Sequence, residues 1–234
     1  MGFLAFLVLL LEGTAAVSAL YYFRKNPTVK AVGFFGYFLL LTYTVEAMSL
    51  FPTIIYWNEP LHFLKDTLWY TNFWLYNPYA IILFSTYVLF FKWNISNRKV
   101  GDIIEKILMV YVLLCIVNLI FSGVFFQTHS AFTQILGSFL LVAVIFYYYF
   151  EILLTSKILV IKKEISFYIS IIALLYFLTT TPIFIYYKYY TNKSPEFIQL
   201  SRLVLSGMNI FMYSSYSFVF LRLAKKKITS ANGK

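Results

Sequence analysis

Charged residues are scarce in this chain of 234 residues, and cysteine and histidine are scarcer still. Charged side chains make up 12% of the composition, whereas hydrophobic residues make up 61%. A soluble domain needs more polar side chains than this to cover its surface, so the composition excludes an ordinary water-soluble protein. The single cysteine, Cys115, excludes an intramolecular disulfide and a paired-cysteine metal or redox site.

The sequence also lacks the motifs of several intramembrane chemistries. It contains no HExxH pattern, and no histidine or aspartate lies within a long apolar run. These absences argue against zinc-dependent, aspartyl and serine-histidine intramembrane proteases. The last apolar run has no lysine that could carry a retinal Schiff base. The net charge of +10 is not gathered on a soluble scaffold, so no nucleic-acid partner is expected, and neither a cofactor nor a metal site is indicated.

The sequence contains seven long apolar runs. Each holds about 20 residues or more, the length that a helix needs to cross a membrane. They are apolar throughout, not at every second residue, so the strands of a membrane barrel are excluded. The sequence therefore predicts an all-α fold, with one transmembrane domain over residues 1–224 and a basic tail at 225–234. The predicted spans are 3–22, 31–56, 68–92, 107–126, 131–154, 165–187 and 197–221.

The distribution of lysine and arginine predicts the orientation of the chain. Cytoplasmic loops of membrane proteins are enriched in these residues. If the spans alternate in direction, fifteen of the 19 fall on one side, and the other side holds only Lys65, Lys188, Lys193 and Arg202. The N-terminus is therefore expected outside and the basic tail in the cytoplasm. No basic segment precedes the first run, so we expect it to be retained as a helix and not cleaved as a signal peptide.

Polar residues inside the predicted spans concentrate towards the outer side. Such residues are costly in lipid and are therefore candidates for a functional site. At a rise of about 1.5 Å per residue, several of them lie near one level at mid-membrane. We expect them to surround an outward-facing cavity between the first, second, third, sixth and seventh spans. The candidate ligand-binding residues are Glu12, Glu46, Asn77, Thr180, Arg202 and Asn209.

The alternative interpretation of these residues is structural. Polar groups in membrane helices also hold neighbouring helices together, each through hydrogen bonds worth about 0.6 to 2 kcal/mol. This alternative weighs more for the asparagines and threonines than for Glu12 and Glu46, because a lone carboxylate in lipid is far more costly. Glu151, near the inner end of its span, is expected to extend to the membrane interface. His62 and His129 fall in predicted outer loops, where a surface position is expected.

A resemblance to a known family covers most of the chain. It is carried by the stretch from Asn118 to Leu154, by the following helix ISFYISIIALLYFLTTTPIFIYY, and by YYFRKNP before the second span with Glu46 after it. These segments resemble an uncharacterised seven-helix membrane protein family common in Bacteroidota. The resemblance implies a multi-pass protein of a bacterial inner membrane. It carries no catalytic motif, so it implies no functional residue.

The sequence favours a membrane-embedded sensor or binding protein. We expect it to recognise a small or amphipathic ligand from the periplasmic side and to relay a helix rearrangement to a membrane or cytoplasmic protein. The predicted loops are short, about fifteen residues at most, and leave no room for a soluble catalytic module. Two alternatives stay open: an enzyme or small transporter that uses Glu12 and Glu46 on a lipid or solute, and a structural subunit of a membrane complex. Membrane lipids are expected contacts, a homo-oligomer is left open, and no catalytic residue is assigned.

Overall fold

The computed structural model describes residues 2–155, 161, 164–190 and 194–231. Its elements are helices joined by short turns, and no strand occurs within these ranges. The helices are α1 (Gly2–Lys25), α2 (Lys30–Met48), α3 (Phe51–Trp57), α4 (Phe73–Asn94), α5 (Arg98–Phe121), α6 (Ala131–Leu154), α7 (Ile165–Tyr190) and α8 (Pro195–Ala231). Of the lysines used to predict the orientation, Lys157, Lys162, Lys163, Lys193 and Lys234 lie outside the described residues.

Seven helical segments of the described chain are long and apolar enough to cross a membrane, so the predicted all-α fold is confirmed. Helices α2 and α3 together make one of the seven, over Lys30–Trp57, with a turn at Ser49 and Leu50. Helix α8 continues to Ala231, so the first part of the basic tail extends the last span as helix.

Two predicted helix starts differ from the observed ones by about five residues or more. Helix α4 begins at Phe73 and not at 68, because Leu68–Tyr70 forms a separate 3-10 turn. Helix α5 begins at Arg98, well before the predicted 107, because the Asn97 side chain accepts a hydrogen bond from the Val100 N–H and caps the helix there. The charged first turns of α5 thus extend the helix beyond its apolar run.

Six of the seven spans close into a ring. Helix α1 packs against α2 and α8, α2 packs against α4, α4 against α6, α6 against α7, and α7 against α8. Helix α5 lies outside this ring and packs against α4 and α6. Small residues let α1 approach its neighbours closely, since Ala15, Ala16 and Ala19 are buried and the Ala19 methyl group lies against Gly36 of α2.

A cluster of aromatic side chains fills the middle of the ring. Phe35 of α2, Tyr87 of α4 and Tyr216 of α8 are almost wholly buried. The ring of Phe35 lies 5.3 Å from that of Tyr87 and 5.6 Å from that of Tyr216, and the two tyrosine hydroxyls are hydrogen-bonded at 2.8 Å. Buried aromatic pairs of this kind add to the stability that area burial provides. The centre of the bundle is therefore densely packed.

Glu151 of α6 is buried, so its expected extension to the membrane interface is wrong. Its two carboxylate oxygens accept hydrogen bonds from the backbone N–H groups of Ser96 at 2.6 Å and Asn97 at 3.2 Å. These groups lie at the N-terminal end of α5, where a helix leaves N–H groups without partners of its own and favours negative charge. The loop between α4 and α5 folds over Glu151, a contact that residue spacing does not reveal.

Candidate functional site

A partly enclosed cavity of about 300 Å³ lies among five helices and the loop before α6. Its walls come from the last turns of α2, the first half of α4, the start of α6, the second half of α7 and the first half of α8. It therefore lies towards the end of the bundle where α1 begins. The lining residues are Glu46, Tyr76, Tyr79, Ala80, Leu83, His129, Gln134, Tyr176, Phe177, Phe184, Leu205, Asn209, Met212 and Tyr213.

The aromatic cluster at the bundle centre closes one end of this cavity. Met212 lines the cavity, and its sulfur accepts a hydrogen bond from the Tyr87 hydroxyl at 3.8 Å. Phe177, also in the lining, has its ring 5.5 Å from that of Tyr87. Because Tyr87 is held in turn by Tyr216, the floor of the cavity is anchored to α4, α7 and α8 together.

Glu46 brings the only carboxylate among the described residues that line the cavity. It lies near the end of α2, and its Oε2 accepts hydrogen bonds from the Tyr76 hydroxyl at 2.7 Å and the Ser49 hydroxyl at 3.4 Å. Ser49 also donates to the Glu46 carbonyl at 2.7 Å, so the turn after α2 holds this side chain in place. Both hydrogen bonds made to the carboxylate by the described part of the chain go to Oε2, and Oε1 is left for another donor.

Glu12 lies behind the cavity wall and does not line it. Its side chain is 1% exposed, and neither carboxyl oxygen has a hydrogen-bond partner of normal geometry among the described residues. Tyr213, which lines the cavity, and Glu46 are both close enough to interact with it electrostatically. The expected cavity included the first span, but the close packing of α1 leaves no space there. The fifth span, α6, contributes to the lining instead.

The side chains of Asn77 and Thr180 make hydrogen bonds to backbone groups of the protein itself. The Asn77 amide donates to the backbone carbonyls of Phe125 at 3.1 Å and Thr128 at 3.0 Å, and its oxygen accepts from the Ser130 N–H at 2.9 Å. It therefore ties α4 to the loop before α6. The Thr180 hydroxyl donates to the Tyr176 carbonyl of its own helix at 2.9 Å. Neither residue lines the cavity.

Asn209 and Arg202, both on α8, have different positions. Asn209 lines the cavity, and its side-chain oxygen accepts a hydrogen bond from the Tyr176 hydroxyl at 2.9 Å. Arg202 is on the exposed face of the helix and is not part of the lining. The structure thus brings Glu46 and Asn209 to one cavity, sets Glu12 directly behind it, and separates Asn77, Thr180 and Arg202 from it.

Six of the fourteen lining residues are tyrosine or phenylalanine, and none of the six was among the candidate residues. Tyr76 and Tyr79 with Ala80 and Leu83 occupy positions i, i+3, i+4 and i+7 of α4, which is the spacing of one helical face. This stripe was available as a signal, but in a chain with 22% aromatic residues most such stripes face lipid or the core. His129 was expected at the surface, whereas it lines the cavity, with its ring 5.1 Å from Phe73 and 5.7 Å from Tyr76.

The position of His129 predicts that stability rises with pH. Burial lowers the pKa of His129, which lies outside the membrane spans, so the unfolded chain binds a proton more readily than the folded one. Stability is complete above the unfolded pKa of about 6.5 and falls below it, by at most about 1.4 kcal/mol per pH unit. Tryptophan fluorescence during thermal unfolding in detergent, from about pH 8 to pH 5, measures this slope. His129→Gln should flatten it, and His62→Gln should not. An unchanged slope in His129→Gln would assign the effect to another group.

Within the described residues, the fold and the cavity together define a multi-pass membrane protein with seven membrane-length helical segments and a cavity between them that is lined by polar and aromatic side chains. No group of three or more histidine, cysteine, aspartate or glutamate side chains that could hold a metal ion occurs in the described ranges. Comparisons with protein-family models, with curated proteins and with solved structures find no match to this chain.

Proposed function

We propose that this protein is a membrane-embedded sensor or binding protein that takes a small ligand into the cavity beside Glu46. The observation that carries the proposal is a cavity of about 300 Å³ between the helices, lined by a carboxylate, two amides and four tyrosines among other residues. A volume of this size is at the lower end of the range for small-molecule sites. The ligand enters from the end of the bundle where α1 begins, which the lysine and arginine distribution predicts to be periplasmic.

A ligand in this cavity would contact helices that are not neighbours in the ring, α2 on one side and the packed pair α7 and α8 on the other. Glu46 belongs to α2, whereas Tyr176 and Asn209 belong to α7 and α8. A ligand that contacts all three favours one arrangement of the ring over others, which is how binding shifts a conformational equilibrium. The far ends of the same helices carry the basic residues Lys30, Arg222 and Lys225, and a partner protein on the cytoplasmic side would sense the rearrangement there.

An enzyme or transporter that moves protons is the second candidate. Glu12 favours it, because a buried carboxyl group that has no hydrogen-bond partner of normal geometry among the described residues and lies close to a second carboxyl group is placed to share a proton with it. Under this alternative, Glu12→Gln stops turnover or transport. Under the binding proposal, Glu12→Gln changes affinity only.

Access of water-soluble reagents to the cavity tests the binding proposal. In a Cys115→Ala background, Leu205→Cys places a thiol in the lining, and Leu203→Cys places one on the outer surface of the same helix, at a side chain that is 68% exposed. Thiols react as thiolates, which form in water and not in lipid. In liposomes, 2-hydroxyethyl methanethiosulfonate should therefore modify Leu205→Cys at least about tenfold faster than Leu203→Cys. Equal rates would mean that the cavity admits no soluble ligand, and the proposal would fail.

A further inference from the structure

The charge of the cavity lining indicates the charge of the ligand. Glu46 is acidic, and no lysine or arginine occurs among the described residues that line the cavity. The two hydrogen bonds to its Oε2 come from neutral hydroxyls, so the described part of the chain supplies no cationic partner to this carboxylate. An ionised carboxylate in a low-dielectric site is costly unless a positive charge accompanies it, so a cationic ligand would favour the ionised form of Glu46.

The shape and chemistry of the remaining lining suit an organic cation. Tyr76, Tyr79 and Tyr176 lie close enough to Glu46 to interact with it electrostatically, and Tyr213 lines the same cavity. The faces of aromatic rings are electronegative and attract ammonium groups that come within about 6 Å of the ring centroid. An aromatic lining with one carboxylate is how proteins recognise alkylated ammonium ions, because the rings bind the methyl groups and the carboxylate balances the charge.

Glu12 is a second buried carboxyl group close to this site. It is almost completely buried, has no hydrogen-bond partner of normal geometry within the described chain, and is close enough to Glu46 and Tyr213 to interact with both electrostatically. A cation bound at Glu46 would therefore also favour the ionised form of Glu12, and no lysine or arginine among the described lining residues supplies such a positive charge. A bare metal ion fits less well, since no set of three ligating side chains is found in the described ranges.

We infer that the ligand of this cavity is a small organic ammonium ion. Its charged nitrogen pairs with Glu46, and its alkyl groups pack against Tyr76, Tyr79, Tyr176 and Tyr213. This inference rests on the proposed binding function and specifies its ligand class. The volume of about 300 Å³ suits an alkylated amine and is too small for a whole phospholipid.

Choline and its neutral isostere 3,3-dimethylbutan-1-ol test the inference, because they share a shape and differ in one positive charge. Each is added before 2-hydroxyethyl methanethiosulfonate reacts with the Leu205→Cys thiol, with sodium chloride holding the ionic strength constant. We expect choline to protect the thiol at a concentration at least about tenfold lower than the isostere needs. Glu46→Gln should reduce protection by choline at least about tenfold, whereas Glu105→Gln, at an exposed carboxylate paired with Lys92, should leave it unchanged.

The outcomes separate the two proposals. If the thiol reacts rapidly but choline and the isostere protect it equally, or acetate protects it better, the ligand is not a cation and the binding function stands without it. If the thiol does not react at all, both proposals fail. Should Glu46→Gln fail to fold, the comparison of choline with its isostere on the Leu205→Cys protein still decides the question, since it needs no change at Glu46.

Discussion

Asn77→Leu is expected to lower the free energy of unfolding by at least about 3 kcal/mol. Asn77 is 2% exposed, and its amide joins α4 to the backbone of residues 124–130. Leucine has a similar volume, so packing is largely kept, but the carbonyls of Phe125 and Thr128 and the N–H of Ser130 lose their partner. The Ser130 N–H is buried and the two carbonyls are bonded at partly buried positions, so each of these groups that water does not reach costs about 1 to 3 kcal/mol when it is left unpaired.

The single cysteine provides the measurement for this prediction. Cys115 on α5 is fully buried, so a fluorogenic maleimide reacts with it only as the bundle opens in a titration with denaturing detergent. Asn58→Leu is the matched control, because Asn58 is exposed and its amide bonds only to the Ile54 carbonyl at 2.7 Å. The free energy of unfolding of that variant should fall by less than about 1 kcal/mol. Equal losses in the two variants would show that the loop is not held by Asn77.

Gly137→Ala adds only one methyl group, yet it is expected to lower the free energy of unfolding by about 2 to 3 kcal/mol. A Cβ atom added at Gly137 of α6 would lie 2.3 Å from the Phe84 ring of α4 and 2.7 Å from the Tyr111 hydroxyl of α5. Phe84 is fully buried and packs against Phe177, with 5.1 Å between the ring centroids, so it cannot move aside freely. Three helices meet at this glycine, and the added methyl group pushes them apart.

Gly207→Ala is the control for that change. Gly207 lies within α8, and nothing lies within 4 Å of the position where its Cβ would stand. Alanine is the better helix former, so this variant should be neutral or more stable by up to about 1 kcal/mol. The same maleimide titration compares the two variants. A stable Gly137→Ala protein would mean that α6 does not approach α4 and α5 as closely as the structure has it.

The helical architecture could be predicted because it depends on segment composition alone. A run of about 20 apolar residues must satisfy its backbone hydrogen bonds internally in lipid, and a helix does this without reference to any neighbour. The first residues of the helices were harder to predict from capping residues. The capping of α5 by Asn97 and the 3-10 turn at Leu68–Tyr70 shifted two helix starts, because polar residues can continue a helix beyond the membrane core as readily as they can end it.

The candidate site could be predicted only in part. Counting residues from the end of a span gives the depth of a side chain in the membrane, but it does not give the direction in which the side chain points. Glu46 and Asn209 reach one cavity, whereas Asn77, at a similar depth, bonds to a loop. The difference depends on how each helix is rotated and which neighbour it meets. Glu151 and His129 illustrate the same point. The loop between α4 and α5 folds over Glu151, and the loop before α6 places His129 in the cavity lining, whereas residue spacing indicates exposure for both.

Residue chemistry and the spacing of polar groups along the chain were enough to predict a bundle of seven membrane-length helices. That follows because the cost of polar groups in lipid acts on every residue according to its own chemistry and its distance from the segment ends. The packing of the helices was needed to establish that six spans form a ring around an aromatic floor, that Glu46 lies among tyrosines above this floor, and that Glu12 lies close to the cavity without lining it. These relations arise from the fit of side chains between helices, and small residues such as Gly137 and Ala19 set that fit through contacts distant in sequence.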